Sequence, residues 1–233
     1  FIPKKNKGAI SLEIRDENNR PVVTILADSS QLKTTKVVED MNLSQTFRYV
    51  DTKLSQKPGM HRFNWNMREM GAWADNKRRS YAYGPLVAPG NYVASLKIGD
   101  QSFEQSFKIL IDPRVDASGV SEGDIKTQVA FQRQVIALLS DARKLESALK
   151  KEAKKLKGKK NKAKTARLEQ IEGVLKLLKN DDGAYPQQML LSQISYLLNM
   201  VRQADQLPGA DAQRRLEVLS QKVSELMQMA ADS

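Results

Sequence analysis

The feature that most constrains this chain is a change in the period of its apolar residues between Asp112 and Gly119. Before that point they recur every second residue, the spacing of a strand with one buried face. After it they recur every third or fourth residue, the spacing of a helix. Each pattern marks a face that must be covered, so the chain has to build two cores in succession. With 233 residues it is long enough for one large or two ordinary domains.

In the first part, Ile10, Leu12 and Ile14 alternate with Ser11 and Glu13, Asn18 and Asn19 supply turn residues, and Val22, Thr24 and Leu26 resume the alternation. That is a hairpin pattern. Phe63, Trp65 and Met67 alternate with Asn64, Asn66 and Arg68. A second hairpin is expected from Tyr92, Ala94, Leu96 and Ile98, the turn pair Gly99-Asp100, and the return through Phe103, Gln105, Phe107, Ile109 and Ile111. Pro58-Gly59, Gly84-Pro85 and Pro89-Gly90 punctuate these runs. The expected architecture for residues 1–117 is an antiparallel β-sandwich of the immunoglobulin or fibronectin type III kind.

In the second part, four apolar stripes define helices over about 121–157, 161–180, 187–206 and 210–230. The stripes are Leu138, Ala142, Leu145, Leu149 and Leu156; Leu168, Ile171, Leu175 and Leu178; Leu190, Ile194, Leu197, Val201 and Ala204; and Leu216, Leu219, Val223, Leu226 and Ala230. Gly158, Asp181-Asp182-Gly183 with Pro186, and Pro208-Gly209 separate them. Short connections of this kind predict an antiparallel, up-and-down helical bundle over 118–233. The fold class is α+β, in two domains.

Composition narrows the chemistry. With no Cys there is no disulfide, thiolate nucleophile or Cys-ligated metal, and a lone His leaves only His61 for a catalytic triad or an imidazole ligand. No nucleotide-binding, dinucleotide or nucleophile-elbow motif is present, no run of about 18 apolar residues could span a membrane, and no cofactor or metal is expected. The first residue is Phe1 and no signal pattern follows it, which reads as a processed chain or the tail of a larger one.

The net charge of +11 is localised. Residues 150–167 hold ten basic side chains and one acid, a local +9 at the expected tip between the first two helices. Phosphate binding to a polyanion through Lys154, Lys155, Lys159 and Lys160 is one reading. A solvated tip is preferred, because no aromatic residue lies between Phe131 and Tyr185 to stack on bases and no nucleic-acid motif accompanies the lysines, so nucleic acid is not an expected partner.

A second candidate site is the loop carrying Trp73, Asp75, Tyr81 and Tyr83, where exposed aromatics beside polar groups would form a carbohydrate-stacking platform. Trp65, in phase with Phe63, is read as core instead. Glu69 and Asp75 are the carboxylates near this loop and would be the pair available for glycoside hydrolysis, although nothing in the sequence sets their separation.

Three strings carry a resemblance: Pro58-Gly59-Met60-His61-Arg62-Phe63-Asn64-Trp65-Asn66-Met67-Arg68, then Gly84-Pro85-Leu86-Val87-Ala88-Pro89-Gly90-Asn91-Tyr92, then Asp112-Pro113-Arg114. Together they resemble the C-terminal region of large secreted bacterial proteins with a sortilin-like or BNR-repeat β-propeller, often labelled glycosyl hydrolases. Leu12-Glu13-Ile14-Arg15-Asp16 is similar to the first strand of the Ig-like domain of flagellar hook-capping proteins. The likeness continues through Gln193-Ile194-Ser195-Tyr196-Leu197 and Ala204-Asp205-Gln206-Leu207-Pro208. The resemblance implies an extracytoplasmic location and an upstream β-propeller of the same chain as partner, and it transfers no catalytic residue to this region. The expected role is therefore a non-catalytic scaffold or interaction region, whose ligand would be a glycan or another protein.

Overall fold

The computed structural model describes residues 1–4, 8–27, 54–75, 80, 83–158, 161–180 and 187–231. Four strands, β1 (Ile10–Asp16), β2 (Pro21–Leu26), β3 (Gly90–Ile98) and β4 (Gln101–Ile109), precede five helices. These are α1 (Pro113–Ala117), α2 (Glu122–Leu156), α3 (Lys162–Leu178), α4 (Leu190–Val201) and α5 (Ala210–Ala231). The strands form one antiparallel sheet in the order β2-β1-β3-β4, so the chain is α+β with the sheet first.

Local chemistry accounts for both hairpins. Gly99 opens the two-residue β3–β4 turn with φ +59°, a conformation that glycine adopts without steric cost. Leu96 is then paired with Phe103 and Tyr92 with Phe107. In the β1–β2 turn, Asp16 Oδ1 accepts from the backbone N–H groups of Asn18 and Arg20, and Asn19 takes φ +59°. The register shifts at Ile14/Arg15, a bulge that changes the phase of β2. Val23 and Ile25 are therefore buried with Val22, whereas Thr24 and Leu26, expected on the inner face, are only half-buried.

One sheet face is apolar, with Ile14, Val23, Ile25 and Tyr92 in its core, and an irregular segment crosses it. Phe63 and Trp65 pack there as their spacing predicts, the Trp65 ring standing edge-on to Tyr92 and Phe107 at 6.4 and 6.2 Å. The expected alternation stops at Met67, which is exposed and has φ +55°, and residues 61–67 form no strand. Instead, residues 67–71 run against Ser80 and residues 83–87: Glu69 N–H donates to Pro85, Val87 N–H to Met67 and Gly71 N–H to Ser80. The two segments touch through backbone at Gly71 and Gly84, and a Cβ on Gly84 would lie 1.7 Å from the Glu69 carbonyl oxygen.

The helices follow their stripes, with shifts. Ser121 and Asp124 cap the start of α2 reciprocally, since each accepts from the other's backbone N–H. The buried positions of α2 include Val135, Leu139, Ala142, Leu149 and Ala153, with Leu138 and Leu145 at the margins of this seam. On α3, Ile171, Val174 and Leu178 are buried, and α5 buries Leu216, Leu219, Val223, Leu226 and Ala230, its whole expected stripe. Helix α4 covers 190–201 of the expected 187–206, and Ala204 is exposed. At the start of that helix the Asn180 side-chain oxygen accepts from Met189 N–H and Ser192 Oγ–H. The turn residues Asp181 to Pro186 lie outside the described residues.

Packing divides the chain into two compact units, Phe1–Ala72 with Asn76–Val129, and Trp73–Asp75 with Ala130–Ser233. The periodicity changes near residue 117, whereas the packing divides inside α2: Ile125 and Val129 join Ala88 in a core of the sheet unit. None of the helices is long and apolar enough to cross a membrane, among the described residues.

Candidate functional site

Glu69 and Asp75, the carboxylate pair of interest, fall in different units. Glu69 is 3 % exposed, and both of its oxygens accept from the Arg20 guanidinium, at 3.0 and 3.2 Å. The Arg20 Nε–H donates to Asp16 at 2.9 Å, which fastens the β1–β2 turn to the crossing segment. A buried carboxylate in a two-point ion pair is a fastening, and removing either partner would strand the other.

Asp75 and Trp73 are brought together, on α2 of the helical unit. Trp73 N–H donates to Ser140 Oγ at 3.0 Å, Arg143 donates to the Trp73 carbonyl, and Ser147 Oγ–H donates to Asp75 at 3.1 Å. Lys151 lies 3.9 Å from the same carboxylate. Ser140, Arg143, Ser147 and Lys151 recur at three or four residues, so one polar stripe of α2 receives a three-residue piece of the N-terminal sequence. Trp73 is half-buried, Tyr83 is half-buried in the sheet unit, and Tyr81 lies outside the described residues. His61 is exposed and donates from Nε2 to the Lys57 carbonyl.

At the basic tip, Lys154 and Lys155 are exposed on the last turn of α2, while Lys159 and Lys160 lie outside the described residues. Several of the cations counted there are engaged. Arg167 holds Glu152 through two nitrogens and donates to the Ala230 carbonyl at the end of α5, and Lys150 pairs with Glu146. The Arg167 hydrogen bond, with a smaller contribution from its charge, holds the Glu152 carboxyl below the ordinary glutamate range.

The sequence reading missed a cleft of about 790 Å³ in the helical unit, formed by α4, the loop after it and the first turns of α5. Tyr196, Met200 and Leu207 line it and are exposed. The available signal was phase: Tyr196 and Met200 are large apolar residues four apart that fall off the Leu190, Ile194 and Leu197 stripe of the same helix. The strings Gln193 to Leu197 and Gln206 to Pro208 supply both of its sides. Among the described residues, no group of three or more His, Asp or Glu side chains is placed to hold a metal ion. No protein-family model matches this chain, nor does any curated protein or solved structure.

Proposed function

We propose that this chain is the non-catalytic accessory region of a larger extracytoplasmic β-propeller protein, in which a β-sandwich and a helical bundle serve as scaffold and interaction surface. The observation that carries this reading is the state of Glu69. Glu69, one of the two acids near the aromatic loop, is withdrawn from water and spent on Arg20, where it fastens a turn. Asp75 is exposed and accepts from Ser147 on α2. The sandwich reading draws support from Leu54, Phe63, Trp65, Met70 and Val87, which cover the apolar face of the sheet from outside its strands. The bundle reading draws support from the pairwise approach of α3, α4 and α5.

Two measurements test the proposal. Titrating the chain with the separately produced remainder of its parent polypeptide should show saturable association. In a screen of chromogenic glycosides and peptides the chain should give no turnover. Turnover abolished by Glu69→Gln or Asp75→Asn, or a complete lack of association, overturns the reading.

A further inference from the structure

We propose that the α4–α5 cleft docks an acidic peptide segment bearing an apolar anchor. The volume, about 790 Å³, lies in the range of ligand-binding clefts. Its apolar surface is unusual for this helix. Leu190, Ile194, Leu197 and Leu198 of α4 are buried, yet Tyr196 is 65 % exposed, Met200 48 % and Leu207 53 %. Large apolar side chains gathered at one cleft and rimmed by polar groups mark an interaction surface, and methionine adapts its shape to what it meets.

The charge of the occupant follows from Arg215. Its guanidinium donates to the neutral side-chain oxygen of Gln193 at 2.8 Å, and no carboxylate among the described residues lies within ion-pair distance of it. Most of its five N–H donors are therefore unspent. Asp211, the acid of the cleft, is folded over Gly209 at the start of α5, with its Oδ1 2.4 Å from where a Cβ on that glycine would stand. There it complements the positive end of the helix dipole. A basic segment would place like charge against Arg215. A sugar would place hydroxyls against Met200, Leu207 and Pro208, where aliphatic or aromatic bulk is needed. The carboxylate of an acidic segment pairs with Arg215, and its apolar side chain enters beside Tyr196 and Leu207.

This site rests on the reading of the chain as an interaction region, and its test is separate. The probe is a short fluorescein-labelled peptide in which Glu and Leu flank a single Trp, compared by anisotropy with the same peptide carrying Lys for Glu. The acidic peptide should bind saturably to the whole chain. Tyr196→Ala and Leu207→Ala should each weaken it by about tenfold, and Arg215→Gln should remove the preference for acidic over basic peptide. Lys176→Gln, an equal loss of charge on α3, should change nothing, and far-UV circular dichroism of each variant checks that the helices are kept. Absence of saturable binding, insensitivity to Tyr196→Ala and Leu207→Ala, or an equal loss in Lys176→Gln overturns the site. If binding fails while association with the remainder of the parent polypeptide persists, the cleft assignment alone falls.

Discussion

The sheet unit and the helical unit reach a buried core by different routes. In the helical unit each element carries its own apolar seam, and one element, α5, buries Leu216, Leu219, Val223, Leu226 and Ala230 along a single stripe. In the sheet unit only part of the core is regular structure. The rest is an irregular segment held by fastenings that join distant residues: Arg20 to Glu69, and Gly71 against Gly84. Helical cores are distributed and repetitive, so a single loss is local. An irregular cover depends on a few contacts, each of which positions many residues.

The sharpest way to break this contrast is Gly84→Ala. The added methyl has no room beside the Glu69 carbonyl, so the crossing must open, at an expected cost of about 3 kcal/mol or more. Denaturant unfolding followed by Trp fluorescence should show the loss. Next is Leu219→Ala, at a fully buried position of α5. It should cost about 3 kcal/mol, seen in the helical circular dichroism signal. A drop well under that would show the helical seam to be more tolerant than the contrast requires.

Arg20→Met should follow, at about 2 kcal/mol. Glu69 would be left buried without its cation, while the partial exposure of Arg20 reduces the loss. If Arg20→Met is neutral, the fastening is not what holds the cover in place.

The smallest effect is acid titration of the Glu152–Arg167 pair. The Glu152 pKa is depressed in the fold, so the pair's contribution is present above the ordinary glutamate value of 4.5 and is lost as pH falls through the lower folded value. Thermal unfolding of the wild type should therefore lose more on going from about pH 6 to pH 3 than unfolding of Arg167→Gln.

Much of the fold was legible because its signals are local. Ser121 with Asp124, the α5 stripe and the Gly99-Asp100 turn each lie within a few residues of what they determine. Errors arose where a local rule met a distant constraint. The bulge at Ile14/Arg15 moved the inner face of β2 from Thr24 and Leu26 to Val23 and Ile25. Met67 left its strand pattern because the crossing with residues 83–87 takes a positive φ there. Of the candidate site residues, the sequence marked Trp73 and Asp75 but held no sign that the α2 stripe of Ser140, Arg143, Ser147 and Lys151 receives them. The basic tip was counted as +9 from composition, yet Arg167 and Lys150 are engaged by Glu152 and Glu146.

By itself, then, the sequence determined the order of sheet and long helices, the two hairpin turns, the starts of α2, α3 and α5 and most of the apolar faces, but not the short helix α1. Period and turn chemistry state which side of an element is buried, and that information is local. Tertiary structure alone decided what covers each face: Glu69 on Arg20, 49 residues away, Trp73 on Ser140, 67 residues away, and the cleft where Tyr196 and Met200 meet the loop before α5. A period does not name its partner, because pairing across such separations is set by how the whole chain closes on itself.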